Sequence, residues 1–232
     1  MFAERAFVRL FFFCWKRAQL EANNKQKGSK TMIKKTVEGI LAGILIAIGG
    51  TVYLSCENKV FGAVFFSVAL LCICYQGYSL FTGKVGFIPE KHDKEAFAVL
   101  LWGLLGNLIG TLLGGIAIAV ALPALHDTAV ILSEAKLTQE IWQTLIRGIF
   151  CGMLMYLAVV IFRDKKTPLA IFFCIPAFIL SGFEHSIADM FYFALGYSFN
   201  LDTLVFLLIV IAGNAIGGML LPTLRLLTRE KN

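Results

Sequence analysis

Charge is what this chain has least of. Asp, Glu, Lys and Arg make up 16% of its 232 residues, whereas 58% are hydrophobic and the mean hydropathy is +0.78. So few polar side chains exclude a soluble globular domain of this size and point to a polytopic helical membrane protein with nearly every residue in one membrane domain. Metal-ligand and redox cysteine spacings are lacking as well. Of Cys14, Cys56, Cys72, Cys74, Cys151 and Cys174, the last four lie in apolar runs, where a thiol acts as a small packing residue, and no disulfide framework is expected. No nucleophile–base pair or phosphate loop is present, so neither an enzyme nor a cofactor is expected. The N-terminal region lacks a small-residue cleavage site. Its apolar stretch, Phe11 to Trp15, is too short to span a bilayer.

Six apolar stretches are long enough to cross, at about 37–55, 60–82, 96–122, 141–162, 168–195 and 202–224. The segments between them alternate in charge. All but three of the 21 basic residues fall on one side, the exceptions being Lys59, Lys136 and Arg147. The positive-inside rule then puts both termini in the cytoplasm. That asymmetry also accounts for the pI near 9 without nucleic acid. Residues 1–34 read as a cytoplasmic extension, disordered or lying on the membrane face, with Met32 a natural start. The transport-sized body covers 35–226, in halves of about 35–122 and 140–224, and 227–232 form a cytoplasmic tail.

The two halves repeat. Gly39 and Gly43 of "EGILAGILIAIGG" match Gly148 and Gly152 of "RGIFCGMLMYLAV" at an offset of 109 residues; "GNLIGT" at Gly106 matches "GNAIGG" at Gly213 at 107. Between them, "GYSLFTGKV" from Gly77 matches "GFEHSIADM" from Gly182 at 105. Three spans is an odd number, so the second half is expected upside down relative to the first, with a pathway at the interface. The small-residue faces suit close helix contact.

The second and fifth spans are interrupted at repeat-equivalent places. One holds Gln76, Gly77, Ser79, Thr82, Gly83 and Lys84; the other holds Ser181, Gly182, Glu184, His185, Ser186 and Asp189. A lipid-facing helix would not carry these groups, whereas a broken helix lining a cavity can, with helix N-termini turned toward an anion. An isolated histidine in such a span is as readily a buried hydrogen-bonding residue as a functional one. Glu184 beside it and the helix break favour function.

"GFEHSIADM" preceded by Pro176-Ala177-Phe178, with "LFTGK" and two Gly-Asn-x-x-Gly segments, resembles the signature of the formate/nitrite transporter family. The resemblance covers about Lys35 to Arg229. It implies an all-α, aquaporin-like protomer of six transmembrane helices, an inverted repeat of three plus three with broken second and fifth helices, assembled as a homo-pentamer in the lipid bilayer. It implies transport of small monovalent anions of weak acids (formate, nitrite or hydrosulfide) together with protons. By the same resemblance, His185 is the central pore histidine, Thr82 faces it, and Glu184 and Lys136 act together. Leu80, Phe81 and Phe178 constrict the pore, and Gly152, Lys84, Asn107 and Asn214 stand in its vicinity.

Two departures from the family pattern stand out. Gly152 replaces an asparagine and is expected to widen the pore locally, and Asp189 replaces another. The expected mechanism is neutralisation, because a bare anion in an apolar constriction is costly. His185 would lend the anion a proton, giving flux that rises on acidification. An aquaporin-like pore for neutral solutes would need paired Asn-Pro-Ala turns, which are missing, and a non-transporting scaffold leaves Glu184-His185 unexplained.

Overall fold

The computed structural model describes the backbone of residues 2–91 and 94–228, and the side chains of residues 28–90 and 95–228. The expected tail therefore lies outside the described residues from 229 onward. The described backbone contains helices and no strand. In chain order they are α1 (Phe2–Ser55), α2 (Lys59–Gln76), α3 (Phe81–Lys84), a 3-10 turn (Val85–Phe87), α4 (Ile88–Lys91), α5 (Lys94–Ala121), α6 (Pro123–Leu137), α7 (Ile141–Lys165), α8 (Leu169–Leu180), α9 (Ser186–Leu195) and α10 (Leu201–Thr228).

By contacts the chain divides into Met1–Lys34 and Lys35–Asn232. The backbone of the first unit is helical from Phe2. Among the described residues, five helical segments are long and apolar enough to cross a membrane: Gly28–Ser55, Lys59–Gln76, Glu95–Ala121, Ile141–Lys165 and Leu201–Thr228. The other expected span, 168–195, is two shorter apolar helices, α8 and α9.

The second unit exposes large apolar side chains and buries a polar cluster within an otherwise apolar core. Phe61, Phe65, Leu113, Trp142, Phe173 and Leu201 are exposed, whereas Thr82, Asn107, Glu184, His185, Asp189 and Asn214 are buried. Hydrocarbon as solvent requires this distribution, since it offers polar groups no partner. Small residues let the helices approach closely. A Cβ added to Gly43 of α1 would collide with the backbone of Asn107 and Gly110 in α5, and one on Gly152 of α7 with that of Asn214 and Gly218 in α10.

Both helix breaks use the same backbone device. α2 stops at Gly77, whose φ is 70°, with Gly77 N–H donating to the Cys74 carbonyl and Tyr78 N–H to that of Ile73. After α8, Gly182 has φ 68°; its N–H donates to the Ile179 carbonyl, and Phe183 N–H to that of Phe178. Left-handed backbone is where glycine alone avoids a steric cost, and this ending satisfies the last helical carbonyls.

Each new start is then tied down by an asparagine. Asn107 Oδ1 accepts from Phe81 N–H at 2.9 Å, while its Nδ2 donates to the carbonyls of Gly39 (2.9 Å) and Ser79 (2.8 Å). Asn214 Oδ1 accepts from Ser186 N–H, and its Nδ2 donates to the carbonyls of Gly148 and Glu184, all at 2.9 Å. Every partner in one set lies at the repeat offset from its counterpart in the other, so the sequence repeat is also a hydrogen-bond repeat.

Candidate functional site

The two restarted helices meet. Thr82 is the second residue of α3 and His185 immediately precedes α9, and Thr82 Oγ1 lies 2.8 Å from His185 Nε2. Both residues are buried. His185 Nδ1 accepts the Ala188 N–H at 3.1 Å, so the ring caps its own helix. A neutral imidazole with Nδ1 so engaged carries its hydrogen on Nε2 and donates it to Thr82. Phe178 of α8 stacks on the imidazole, with centroids 5.5 Å apart and planes 14° from parallel.

To one side of this pair lies a cavity of about 480 Å³ that His185 and Phe178 line together with Lys136, Gln139, Arg147, Glu184 and Asp189. Lys136, in the last turn of α6, donates to a Glu184 carboxylate oxygen and pairs with Asp189 Oδ1 at 2.9 Å. Gln139 Nε2 donates to the other Glu184 oxygen at 2.7 Å, and Thr144 Oγ1 donates to Gln139 Oε1 at 3.3 Å. The rings of Tyr192 and Phe206 flank the ammonium at 5.9 and 6.0 Å. Burial opposes the charge on Lys136, but Asp189 and Glu184 outweigh it and hold the ammonium above the usual lysine range.

Beyond the pair, Leu80 and Phe81 line a cavity of about 230 Å³ with Ser79 and Lys84. A neighbouring cavity of about 460 Å³ is lined by Lys35, Lys84, Arg163 and Lys166 among others. Lys84 Nζ donates to Ser79 Oγ and to the Gly77 carbonyl, both at 3.2 Å, and Ser79 Oγ donates to Glu38 Oε2 at 2.9 Å. Leu80, Phe81, Thr82, His185 and Phe178 thus form a buried plug, with Leu80 and Phe81 lining one cavity and His185 and Phe178 another.

The sequence profile described as "Formate/nitrite transporter" matches residues 17–227. The chain belongs to the formate/nitrite transporter family. The uncharacterized transporter YwcJ of Bacillus subtilis is 31% identical over 194 residues, covering 72% of this family member and 75% of the relative. The nitrite transporter NirC of Salmonella typhimurium is 30% identical over 201 residues, covering 78% and 72%. A solved "FNT family ion channel" superposes with a TM-score of 0.69 at 26% identity, covering 90% of this chain and 92% of that one. A "pentameric formate channel with formate bound" shares the fold with a TM-score of 0.73 at 23% identity, covering 85% and 97%. As a formate/nitrite transporter family member with long apolar helices, the chain is an integral membrane protein of a channel and transporter family.

In this family member, Thr82 and His185 bond to each other and Lys136 pairs with Glu184. Leu80, Phe81 and Phe178 are buried around them. Lys84 lines the cavity that Leu80 and Phe81 also line, and Asn107 and Asn214 hold backbone. Gly152 does not widen a pore. Its Cα faces the Asn214 backbone, and its lack of a side chain lets α7 and α10 close up. Sequence reasoning named Asp189 only as part of the interrupted fifth span and as a departure from pattern, Arg147 only as a basic residue on the sparsely charged side, and did not single out Gln139. One signal was available for Asp189, which follows His185 by four residues and so shares its helix face.

Proposed function

We propose that this chain conducts small monovalent anions of weak acids, with formate, nitrite and hydrosulfide as candidates, through the plug formed by Thr82 and His185. The observation that carries this reading is the 2.8 Å Thr82–His185 contact, made where two helix breaks meet, each lining a cavity. An ionisable group buried at such a depth is costly unless it serves the passing solute.

The hydrogen bonding refines how His185 acts. Nδ1 is already occupied by Ala188 N–H, so a second ring proton would require the α9 cap to open. His185 therefore works as an Nε2–H donor. Thr82 holds that hydrogen in the empty plug, and the anion takes Thr82's place as acceptor. The proton that neutralises the anion comes from the cavity rather than from the ring. Once neutral, the acid crosses Leu80, Phe81 and Phe178 at much lower desolvation cost. Lys136 and Arg147 draw anions to one side of the plug, while Lys84 and its basic neighbours do so on the other.

This reading includes an inverted arrangement of the two halves and a homo-pentamer with one pathway per protomer. It also places both termini in the cytoplasm of a plasma (bacterial inner) membrane, residues 1–34 as an extension on that side, and protons as the co-travelling partner. The test is stopped-flow flux into proteoliposomes with a panel of formate, nitrite, hydrosulfide and glycerol. The expected result is anion flux that rises on acidification and falls at least tenfold, or loses its pH dependence, in His185→Phe. Glycerol flux without anion flux would instead indicate a neutral-solute pore.

A further inference from the structure

The cluster around Lys136 does not balance. One ammonium meets two carboxylates, those of Glu184 and Asp189. Glu184 is fully engaged, one oxygen with Lys136 and the other with Gln139. Asp189 is not. Its Oδ1 pairs with Lys136, but its Oδ2 is buried with no hydrogen-bond partner in a residue that is 1% exposed. A purely structural aspartate has no reason to leave a carboxylate oxygen dry, since an unpaired buried acceptor is destabilising.

The titratable groups around the pair are few. Lys136 comes from α6, Cys151 and Arg147 from α7, Tyr53 from α1, and His185 and Tyr192 from the break and α9. The adjoining stretches 96–121 of α5 and 203–224 of α10 contain no ionisable side chain. Counted formally, the acidic and basic side chains lining the cavity are Lys136, Arg147, Glu184 and Asp189, a sum of zero.

Resting on the reading of the chain as an anion conductor, we propose that Asp189 is the proton-accepting residue that sets when anions are admitted. As pH falls, Asp189 Oδ2 takes a proton from hydronium in the cavity, forming an O–H bond and leaving water. The new hydroxyl donates to the Glu184 carboxylate, which supplies the missing partner. Lys136 and Arg147 then outweigh Glu184 alone, and the cavity changes from formally neutral to cationic directly above His185. Anion admission becomes acid-dependent at a place separate from the imidazole. The stored proton lies beside the route of the anion it can neutralise.

Two measurements on the full-length protein test this. In proteoliposomes, Asp189→Asn fixes the cavity in its cationic state. The variant should carry formate about tenfold faster than the unmodified protein at mildly alkaline pH, converge with it in acid, and show the difference in apparent KM rather than in maximal flux. Asp189→Glu should restore the acid dependence. Infrared difference spectra of the purified protein labelled with 13C-aspartate should show a protonated-carboxyl C=O band that grows on acidification, shifts with the label and is missing from Asp189→Asn. An unchanged flux profile in Asp189→Asn overturns the proposal, and so does the lack of a label-shifted band in the unmodified protein. If no anion crosses at any pH, the transport reading fails while the infrared measurement still decides where the proton sits.

Discussion

The residue entering the new helix at the first break is Leu80, and at the second it is His185. Around these two the surroundings are nearly the same. A glycine at φ near 70° ends the preceding helix, and an asparagine from the third helix of the same half ties down the restart with three hydrogen bonds. The side chains facing the cavities differ at almost every matched position. Ser79 corresponds to Glu184, Lys84 to Asp189, and Glu38 to Arg147. Residues that serve the backbone are therefore repeated, because each half must satisfy the same broken ladder. Residues that face the cavities are under no such constraint and are not repeated.

The largest expected effect comes from breaking the shared frame. Asn214→Leu removes three buried hydrogen bonds at about 1 kcal/mol or more each and leaves their backbone partners unpaired. It should abolish flux and lower the melting temperature in detergent. Asn107→Leu should do the same to a similar degree, and a large gap between the two melts would break the equivalence. Next comes the contact between the two restarts. Thr82→Val keeps the shape and removes the hydroxyl, which should cost roughly 1 kcal/mol of stability and slow formate flux several-fold without altering the fold. Smallest is the turn itself. Gly77→Ala and Gly182→Ala each force a Cβ into left-handed backbone with open space around it, so thermal melts should show matched losses of about 1 kcal/mol.

The frame was the most legible part of the sequence. Gly77, Gly182, Asn107 and Asn214 could be found by offset alone, because the repeat had to preserve them and polar residues in an apolar span signal a break. The Lys136–Asp189 pair was not legible. It forms only when α6 folds back over α9, and neither residue's neighbours in sequence report that. Gly152 was misread because a bare Cα in a helix does not say which neighbour it faces, and here α10 is the neighbour. The polar stretch "EANNKQKGSK" carries no apolar periodicity, so the sequence alone did not announce helical backbone there.

Phe178 lies over one side of the imidazole like a lid on a tile. That ring covers one face of the imidazole, so any visiting molecule must reach Nε2 from outside that face.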